Sequence, residues 1–333
     1  MESMPAFVLK RPASLAEAAG LLASRPGARL VAGGTGLLPN LRRGIDRPSM
    51  LVDLSAVRDC GEIGLDDNGL SLGAGVTLAR LAADARLARA YAAIVEAAHA
   101  VAGPAHRSVA TLGGNLCLDT RCVFYNQSAW WRATNRYCLK RGGDTCHVAP
   151  QGKRCHAAFS GDLAPALLVF DAEVELVASG GTRRIALPAL YREDGAAHLT
   201  LGADEVLARV LVAPPPAGLA SGYRKATVRG AIDFPLAGVA CALLVRGGAL
   251  ARLRVAITGT NAQPFVLAGT DALLGRPVDA DALSALGKLV QKQVSPMRTT
   301  ATQSNYRRQV AAVLAQRLLR DLAGAAGGAA PRG

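Results

Sequence analysis

The sequence predicts a mixed fold of helices and strands, α+β or α/β in class, divided into two or three compact units. Three observations carry this. Strand-like and helix-like patterns alternate along the chain with no solenoid-type repeat. At 333 residues the chain exceeds one ordinary core, and with 50% of its residues apolar it can fill several. Finally, Ala213-Pro214-Pro215-Pro216-Ala217-Gly218 can continue neither a helix nor a central strand and reads as a linker.

Taken in order, Leu15 to Leu22 has apolar residues at helical spacing, with Ser14 as N-cap and Glu17 three residues on as a capping box. Ala28 to Ala32 reads as a strand that runs into Gly33-Gly34-Thr35-Gly36-Leu37-Leu38-Pro39. A strand ending in such a glycine cluster exposes backbone N–H groups and can cradle an anion such as a pyrophosphate, although the pattern is not G-x-G-x-x-G. Leu51 to Leu54 and Leu70 to Ala74 read as short strands, with a turn at Asp66-Asp67-Asn68-Gly69. Leu78 to Val101 reads as two short helices stopped by Gly103-Pro104. After Ser160-Gly161-Asp162 an apolar helix runs to Phe170. Glu173 to Val177 and Arg183 to Leu187 alternate as an antiparallel pair joined by Gly180-Gly181. Beyond the linker, Ile232 to Val245 and Ala251 to Ile257 read as strands and Val310 to Leu322 as a helix, before a disordered Gly/Ala tail from Gly324 to Gly333.

A formal net charge of +13 at pH 7 is compatible with nucleic acid, a membrane surface, nucleotide cofactors or acidic proteins. The basic residues form no dense run and no recognisable binding module, so nucleic acid is not expected. No apolar run approaches the roughly 18 residues of a membrane span, and the amino terminus lacks the pattern of a signal peptide. The expected location is cytoplasmic, where thiols stay reduced.

The stretch from Thr111 to Cys155 stands apart. It opens with the turn Thr111-Leu112-Gly113-Gly114-Asn115 and continues into Cys122, Cys138, Cys146 and Cys155, four of the chain's seven cysteines. Both tryptophans, Trp130 and Trp131, fall within it, in a chain that is only 4% aromatic. Between Cys117 and Ala157 seven basic residues (Arg121, Arg132, Arg136, Lys140, Arg141, Lys153, Arg154) face two acidic ones (Asp119, Asp144), a surplus suited to an anionic metal centre. Four thiolates can hold Zn²⁺ or a [4Fe–4S] cube, and the spacing, which is neither that of a zinc ribbon nor that of a bacterial ferredoxin, leaves both open. His147 and His156 follow cysteines directly and read as neighbours of the site or solvated groups. Cys60, Cys117 and Cys241 read as small buried hydrophobes.

Four segments in sequence carry a family resemblance: Val31 to Pro39, Thr111 to Leu116, Gly161 to Leu167, and Ala231-Ile232-Asp233-Phe234-Pro235-Leu236. In this order they resemble the flavin-carrying subunits of the xanthine oxidase family of molybdenum enzymes. Most members pass directly from the Gly-Gly-Asn-Leu turn to the Gly-Asp segment. The extra four-cysteine insertion here, with Asp119 to Gln127 and Trp130-Trp131, is similar to the 4-hydroxybenzoyl-CoA reductase branch, whose insertion holds an additional [4Fe–4S] cluster.

The resemblance implies an α+β protein: an FAD-binding fold of two α/β subdomains of the vanillyl-alcohol-oxidase type plus a C-terminal α+β domain. The implied units are 1–58, 59–217 with the insertion at about 117–158, and 218–323, followed by the tail 324–333. Arg29, Leu30, Val31, Ala32, Gly33, Gly34, Thr35 and Gly36 would wrap the FAD pyrophosphate, with hydrogen bonds from Thr111 and Asn115 beside Gly113-Gly114. Asp162 would take a ribityl or ribose hydroxyl, and Lys225 would lie near the isoalloxazine ring. The residue-level alternatives are a turn hydroxyl for Thr111, a helix cap for Asp162 and a solvated charge for Lys225. Position 36, commonly Asp in the family, is Gly here. Cys122, Cys138, Cys146 and Cys155 would hold the cluster, with no catalytic proton-transfer residue in this subunit. The implied partners are a molybdopterin large subunit and a small subunit with two [2Fe–2S] clusters in an (αβγ)₂ assembly. Ferredoxin would be the electron donor for reductive dehydroxylation of 4-hydroxybenzoyl-CoA. The alternatives are a molybdenum hydroxylase flavoprotein acting on another substrate and a zinc-stabilised structural subunit.

Overall fold

The computed structural model describes residues 4–298 and 302–327. Three sheets organise them, as an α+β class requires. β1 (Val8–Lys10), β2 (Arg29–Val31) and β3 (Met50–Asp53) form a small parallel sheet in the order β1-β3-β2. The helix Leu15–Ser24 crosses over between β1 and β2 and buries Ala18, Ala19 and Leu22 against Met50 and Val52. Its start is the predicted reciprocal cap: Ser14 Oγ accepts from Glu17 N at 3.2 Å, while the Glu17 carboxylate accepts from Ala13 N at 2.7 Å.

β4 (Ile63–Asp66), β5 (Gly69–Gly73), β6 (Glu173–Ala178), β7 (Gly181–Ala186) and β8 (Val206–Val212) build an antiparallel sheet in the order β4-β5-β8-β6-β7. The β4–β5 turn is closed by Asp66 Oδ1 accepting from Asn68 N, and Gly69 takes a positive φ of 119°. The predicted β6–β7 pair is present, with Glu173 opposite Ala186. Leu78 to Val101 forms three helices, Leu78–Ala83, Leu87–Ala90 and Ala92–Ala100, and not two. The extra break comes from Asp84, whose carboxylate captures Arg86 N at 3.0 Å and so replaces a helical turn.

After the linker, β9 (Ala220–Ala226), β10 (Ala237–Arg246), β11 (Ala249–Thr258) and β12 (Phe265–Val266) form a sheet in the order β12-β11-β10-β9. β10 runs through the middle, and its period-2 alternation divides two cores. Val239, Cys241 and Leu243 face the helices Ala280–Gln293 and Ser304–Gly327. Ala240 and Ala242 face the large central core, which holds the helices Ala92–Ala100 and Leu163–Leu168. Their small side chains let the C-terminal sheet approach that core closely.

Two predicted bounds are corrected. The strand expected from Ile232 begins at Ala237. Before it, the Asp233 carboxylate gathers the N–H groups of Val228, Arg229 and Phe234, and Ile232 sits at φ 53°, so the segment turns away from the ladder. The terminal helix Ser304–Gly327 continues past Leu322, so the first four residues of the expected disordered tail are helical. The remaining tail lies outside the described residues. Among the described residues no helix is long and apolar enough to cross a membrane.

Candidate flavin and four-cysteine site

The four segments singled out in the sequence meet around one region. Gly33 and Gly34 follow β2 directly, and a Cβ at Gly33 would fall 2.0 Å from the Val109 carbonyl oxygen. The first glycine turn therefore touches the turn that leads into the second. Gly34 takes φ 69° and accepts at its carbonyl from Leu38 N, which starts the helix Leu37–Arg42. Thr35 is exposed, and Arg29, Leu30, Val31 and Ala32 lead into the turn with Arg29 exposed. A Cβ at Gly36 would meet Leu118 at 3.5 Å and the Arg121 guanidinium at 3.9 Å, an ordinary contact. A Cβ is therefore tolerated at position 36.

Thr111 N-caps the helix Leu112–Leu116, with its Oγ accepting from Gly114 N at 3.2 Å. Gly113 packs against β5, where a Cβ would fall 2.8 Å from Ala74 Cβ. Asn115 is buried and its Oδ1 accepts from Leu163 N at 3.0 Å, which ties the turn to the Gly161-Asp162 segment. Gly161 is needed for that approach, because its Cβ would fall 2.5 Å from the Asn115 carbonyl oxygen.

Asp162 does not cap the helix it precedes. Its carboxylate accepts from the Tyr223 hydroxyl at 2.6 Å and from Lys225 Nζ at 3.2 Å, and Lys225 also donates to the Ala100 carbonyl at 3.0 Å. Lys225 is thus a buried ion-pair partner and not a solvated charge. Burial pushes the Asp162 pKa above the usual carboxylate value against the opposing pull of Lys225 and Tyr223. Sequence reading missed Tyr223 and Glu96, whose carboxylate accepts from Tyr223 N at 2.6 Å. Neither lies in a recognisable motif, and only the packing of β9 on the helix Ala92–Ala100 brings them to the site.

The cysteine insertion leaves the helix Leu112–Leu116 and is pinched at its neck, where Arg121 and Ala158 exchange two backbone hydrogen bonds of 2.8 Å. Inside are the short helix Ala129–Thr134, capped by Ser128, and a tight turn at Leu139–Arg141. Cys122, Cys138, Cys146 and Cys155 are all free thiols, two buried and two half-buried. Burial raises the Cys122 pKa; the N–H groups of Phe124 and Tyr125 pull it down, and Cys138 and Cys146 are near enough to push it up. Burial pushes Cys155 to about 11, with Cys146 and Cys122 adding to the rise and the Ala157 N–H and Lys140 opposing it. The four sulfurs therefore share one electrostatic neighbourhood. Among the described residues no three His, Cys, Asp or Glu side chains are grouped to hold a single metal ion.

Four of the seven basic residues counted in the insertion are held by partners. Lys140 is paired with Asp119 at 2.6 Å, Arg154 with Glu193 at 3.1 Å, and Arg121 donates to Asn40 at 2.8 Å. Arg132 is buried and donates to the carbonyls of Tyr125 and Gly44, anchoring the insertion on the N-terminal unit. The sequence could count these charges but not their partners, which come from other segments. His147 contacts the Tyr137 carbonyl at 2.7 Å and packs on Phe124. Cys60 and Cys241 are buried as expected, whereas Cys117, expected to be buried too, is half-buried at the edge of the central core; burial pushes the Cys241 thiol to about 12.

Residues 5–215 match the family described as FAD binding domain in molybdopterin dehydrogenase, and residues 221–322 match the CO dehydrogenase flavoprotein C-terminal domain. The chain is 34% identical over 287 residues to the aldehyde oxidoreductase FAD-binding subunit PaoB of Escherichia coli strain K12, covering 83% of this chain and 88% of that one. It is 26% identical to a xanthine dehydrogenase FAD-binding subunit of Escherichia coli O157:H7, covering 96% of each. The fold matches a chain of the reconstituted CO dehydrogenase from Oligotropha carboxidovorans with TM-score 0.80 and 23% identity, covering 97% of this chain and 99% of that one. With two glycine turns joined to a Gly-Asp segment in this order, the chain belongs to the FAD-binding subunits of the xanthine oxidase family of molybdenum hydroxylases.

Proposed function

We propose that this subunit holds a [4Fe–4S] cluster beside its FAD and relays electrons between a protein donor and a partner's molybdenum site. The carrying observation is that four free cysteines lie within one pinched insertion, which follows directly on the helix that opens with the glycine turn Thr111–Asn115. The donor set fits the cluster. The thiols influence one another electrostatically, and a cube takes one cysteine at each of its four irons. N–H groups directed at the sulfurs of Cys122 and Cys155 suit thiolate ligands of such a cluster.

For FAD, residues Arg29 to Gly36 would lie along the pyrophosphate with Thr111, Gly114 and Asn115 shaping the adjoining wall. Asp162 would meet a ribityl or ribose hydroxyl, and Lys225 would lie near the ring. When bound, FAD exchanges electrons in pairs or singly and the cluster one at a time; the chain supplies position and potential. The units 1–58, 59–217 and 218–323 belong to the same reading. So do a molybdopterin large subunit and a [2Fe–2S] small subunit in an (αβγ)₂ assembly.

For the overall reaction we place the chain in a 4-hydroxybenzoyl-CoA reductase, with ferredoxin donating electrons, on the likeness of the insertion from Asp119 to Trp131. Exposed Arg136 and Lys153 would steer an acidic ferredoxin, so its reduction of the enzyme should slow as salt rises. A second reading, aldehyde oxidation with electrons flowing outward, is favoured by the 34% identity to the aldehyde oxidoreductase subunit.

Iron, sulfide and flavin analysis with EPR of the reduced protein tests the cofactors. About four irons and one FAD per chain match one cube and one flavin, whereas one zinc without FAD overturns the reading. Cys138→Ser should lose iron while keeping FAD. In the purified complex, turnover of 4-hydroxybenzoyl-CoA with reduced ferredoxin supports the first reaction, and aldehyde-dependent bleaching of the flavin supports the second.

A further inference from the structure

We propose that Lys140 is the positioning residue of the four-cysteine pocket: its buried ammonium fastens the turn that joins Cys138 to Cys146 onto the segment before Cys122, which is itself bonded to the segment beside Cys155. This rests on the reading of Cys122, Cys138, Cys146 and Cys155 as one site, whatever metal centre they hold.

The Lys140 side chain is 6% exposed and lies in the tight turn Leu139–Arg141. An ammonium has three N–H donors. Here they meet three acceptors: Asp119 Oδ1 at 2.6 Å, the Thr120 carbonyl at 3.1 Å and the Thr120 hydroxyl. The charge also lies over the Tyr125 ring, 4.4 Å from its centroid.

From this hub, hydrogen bonds lead to each cysteine. Cys138 precedes the turn, and its carbonyl accepts from Arg141 N at 2.7 Å and Gly143 N at 3.0 Å. Leu139 N donates to the carbonyl of Thr145, the neighbour of Cys146, at 3.1 Å. Thr120, two residues before Cys122, accepts from Lys140, and its hydroxyl donates to the Gly195 carbonyl at 2.5 Å. Gly195 N in turn donates to the Cys155 carbonyl at 2.9 Å, and Asp194 accepts from Cys155 N at 3.2 Å. Gly195 lies so close that a Cβ there would fall 2.7 Å from the Ala157 carbonyl oxygen. One cation thus closes a network in which no two of the four thiol-bearing segments are adjacent in sequence. Burying an ammonium is costly unless every donor is paired, so the network is held in a single arrangement.

The test compares wild type, Lys140→Met and Lys140→Met/Asp119→Asn, each as full-length chain. After chelation of metal, thiol labelling is read residue by residue by mass spectrometry. Cys60 and Cys241, which are 2% and 0% exposed and far from the insertion in sequence, report global unfolding. Lys140→Met should raise labelling at Cys146 and Cys155 at least tenfold with Cys60 and Cys241 unchanged. The double variant should stay equally reactive, because it removes the orphaned carboxylate but does not restore the tether. Protection restored in the double variant, or unchanged labelling in Lys140→Met, overturns the proposal. Metal-loaded wild type and variants are then compared. Lower metal content with FAD retained supports positioning, and equal content with an unchanged EPR spectrum overturns it. If wild type binds zinc in place of iron and sulfide, the cluster reading fails while the positioning role is still decided by the labelling.

Discussion

Lys225 Nζ lies 3.2 Å from the Asp162 carboxylate, with the two side chains 8% and 4% exposed, in an ion pair that crosses from the FAD-binding domain to the C-terminal domain. The Gly161–Leu167 segment and strand β9 are therefore locked to each other by charge at the place where the flavin site is expected. Removing one partner leaves the other buried and unpaired. Asp162→Asn or Lys225→Met should each cost roughly 3–5 kcal/mol, and the double variant less than the sum. Urea unfolding monitored by circular dichroism measures both, and strictly additive losses would refute the coupling.

The same pair depends on a glycine on the neighbouring strand. A Cβ at Gly238 would fall 2.2 Å from the Tyr223 hydroxyl, which donates to Asp162. Gly238→Ala should push that hydroxyl off the carboxylate and cost about 1–3 kcal/mol by overpacking. In a Tyr223→Phe background, where the clashing oxygen is gone, the cost of Gly238→Ala should shrink. Thermal unfolding of the four proteins gives the comparison.

Arg307, 3% exposed, donates to the carbonyls of Leu236, Met297 and Gly259 at 3.1, 2.8 and 2.5 Å. Burial lowers its pKa to about 10. It fastens the long terminal helix to the start of β10 and the end of β11. Arg307→Met should leave three buried carbonyls unpaired and cost about 3 kcal/mol or more. A midpoint in guanidinium equal to that of wild type would remove it from this role.

His198 packs on Phe159 and contacts the Leu118 carbonyl at 3.0 Å. Burial lowers its pKa from 6.5 to about 4, with the Lys140 charge adding and Asp119 opposing. Between those values the unfolded chain binds the proton and the folded one resists it. Stability is therefore complete above pH 6.5 and falls as the pH drops toward 4, by up to about 1.4 kcal/mol per unit. His198→Gln should flatten that part of the pH profile of the melting temperature, and an unchanged slope would assign the acid lability elsewhere.

Much of the fold was legible locally. Ser14 and Glu17 sit three residues apart as a capping pair, β6 and β7 alternate with a glycine turn between them, and the glycine clusters lie where their strands end. These depend on neighbours a few residues away, which the sequence lists directly. β1 and β8 were not read, because each is defined by a strand distant in sequence: β1 by β3, and β8 by β5 and β6; β4, β9 and β12 were missed although their partners are near in the chain. Ile232 to Pro235 looked like strand, yet Asp233 collects the local N–H groups and turns the chain.

The sequence by itself determined the residue types and order of the site: two glycine turns, the Gly161-Asp162 segment and four cysteines in one insertion. Tertiary structure alone decided what each charge does. Lys225 could be solvated or buried, and it is buried because β9 packs on the central core beside Asp162. Lys140 could belong to a diffuse positive halo, and it is instead the paired hub of the insertion. The reason is physical: a charged side chain removed from water must find partners, and those partners come from segments that only folding brings within hydrogen-bond distance.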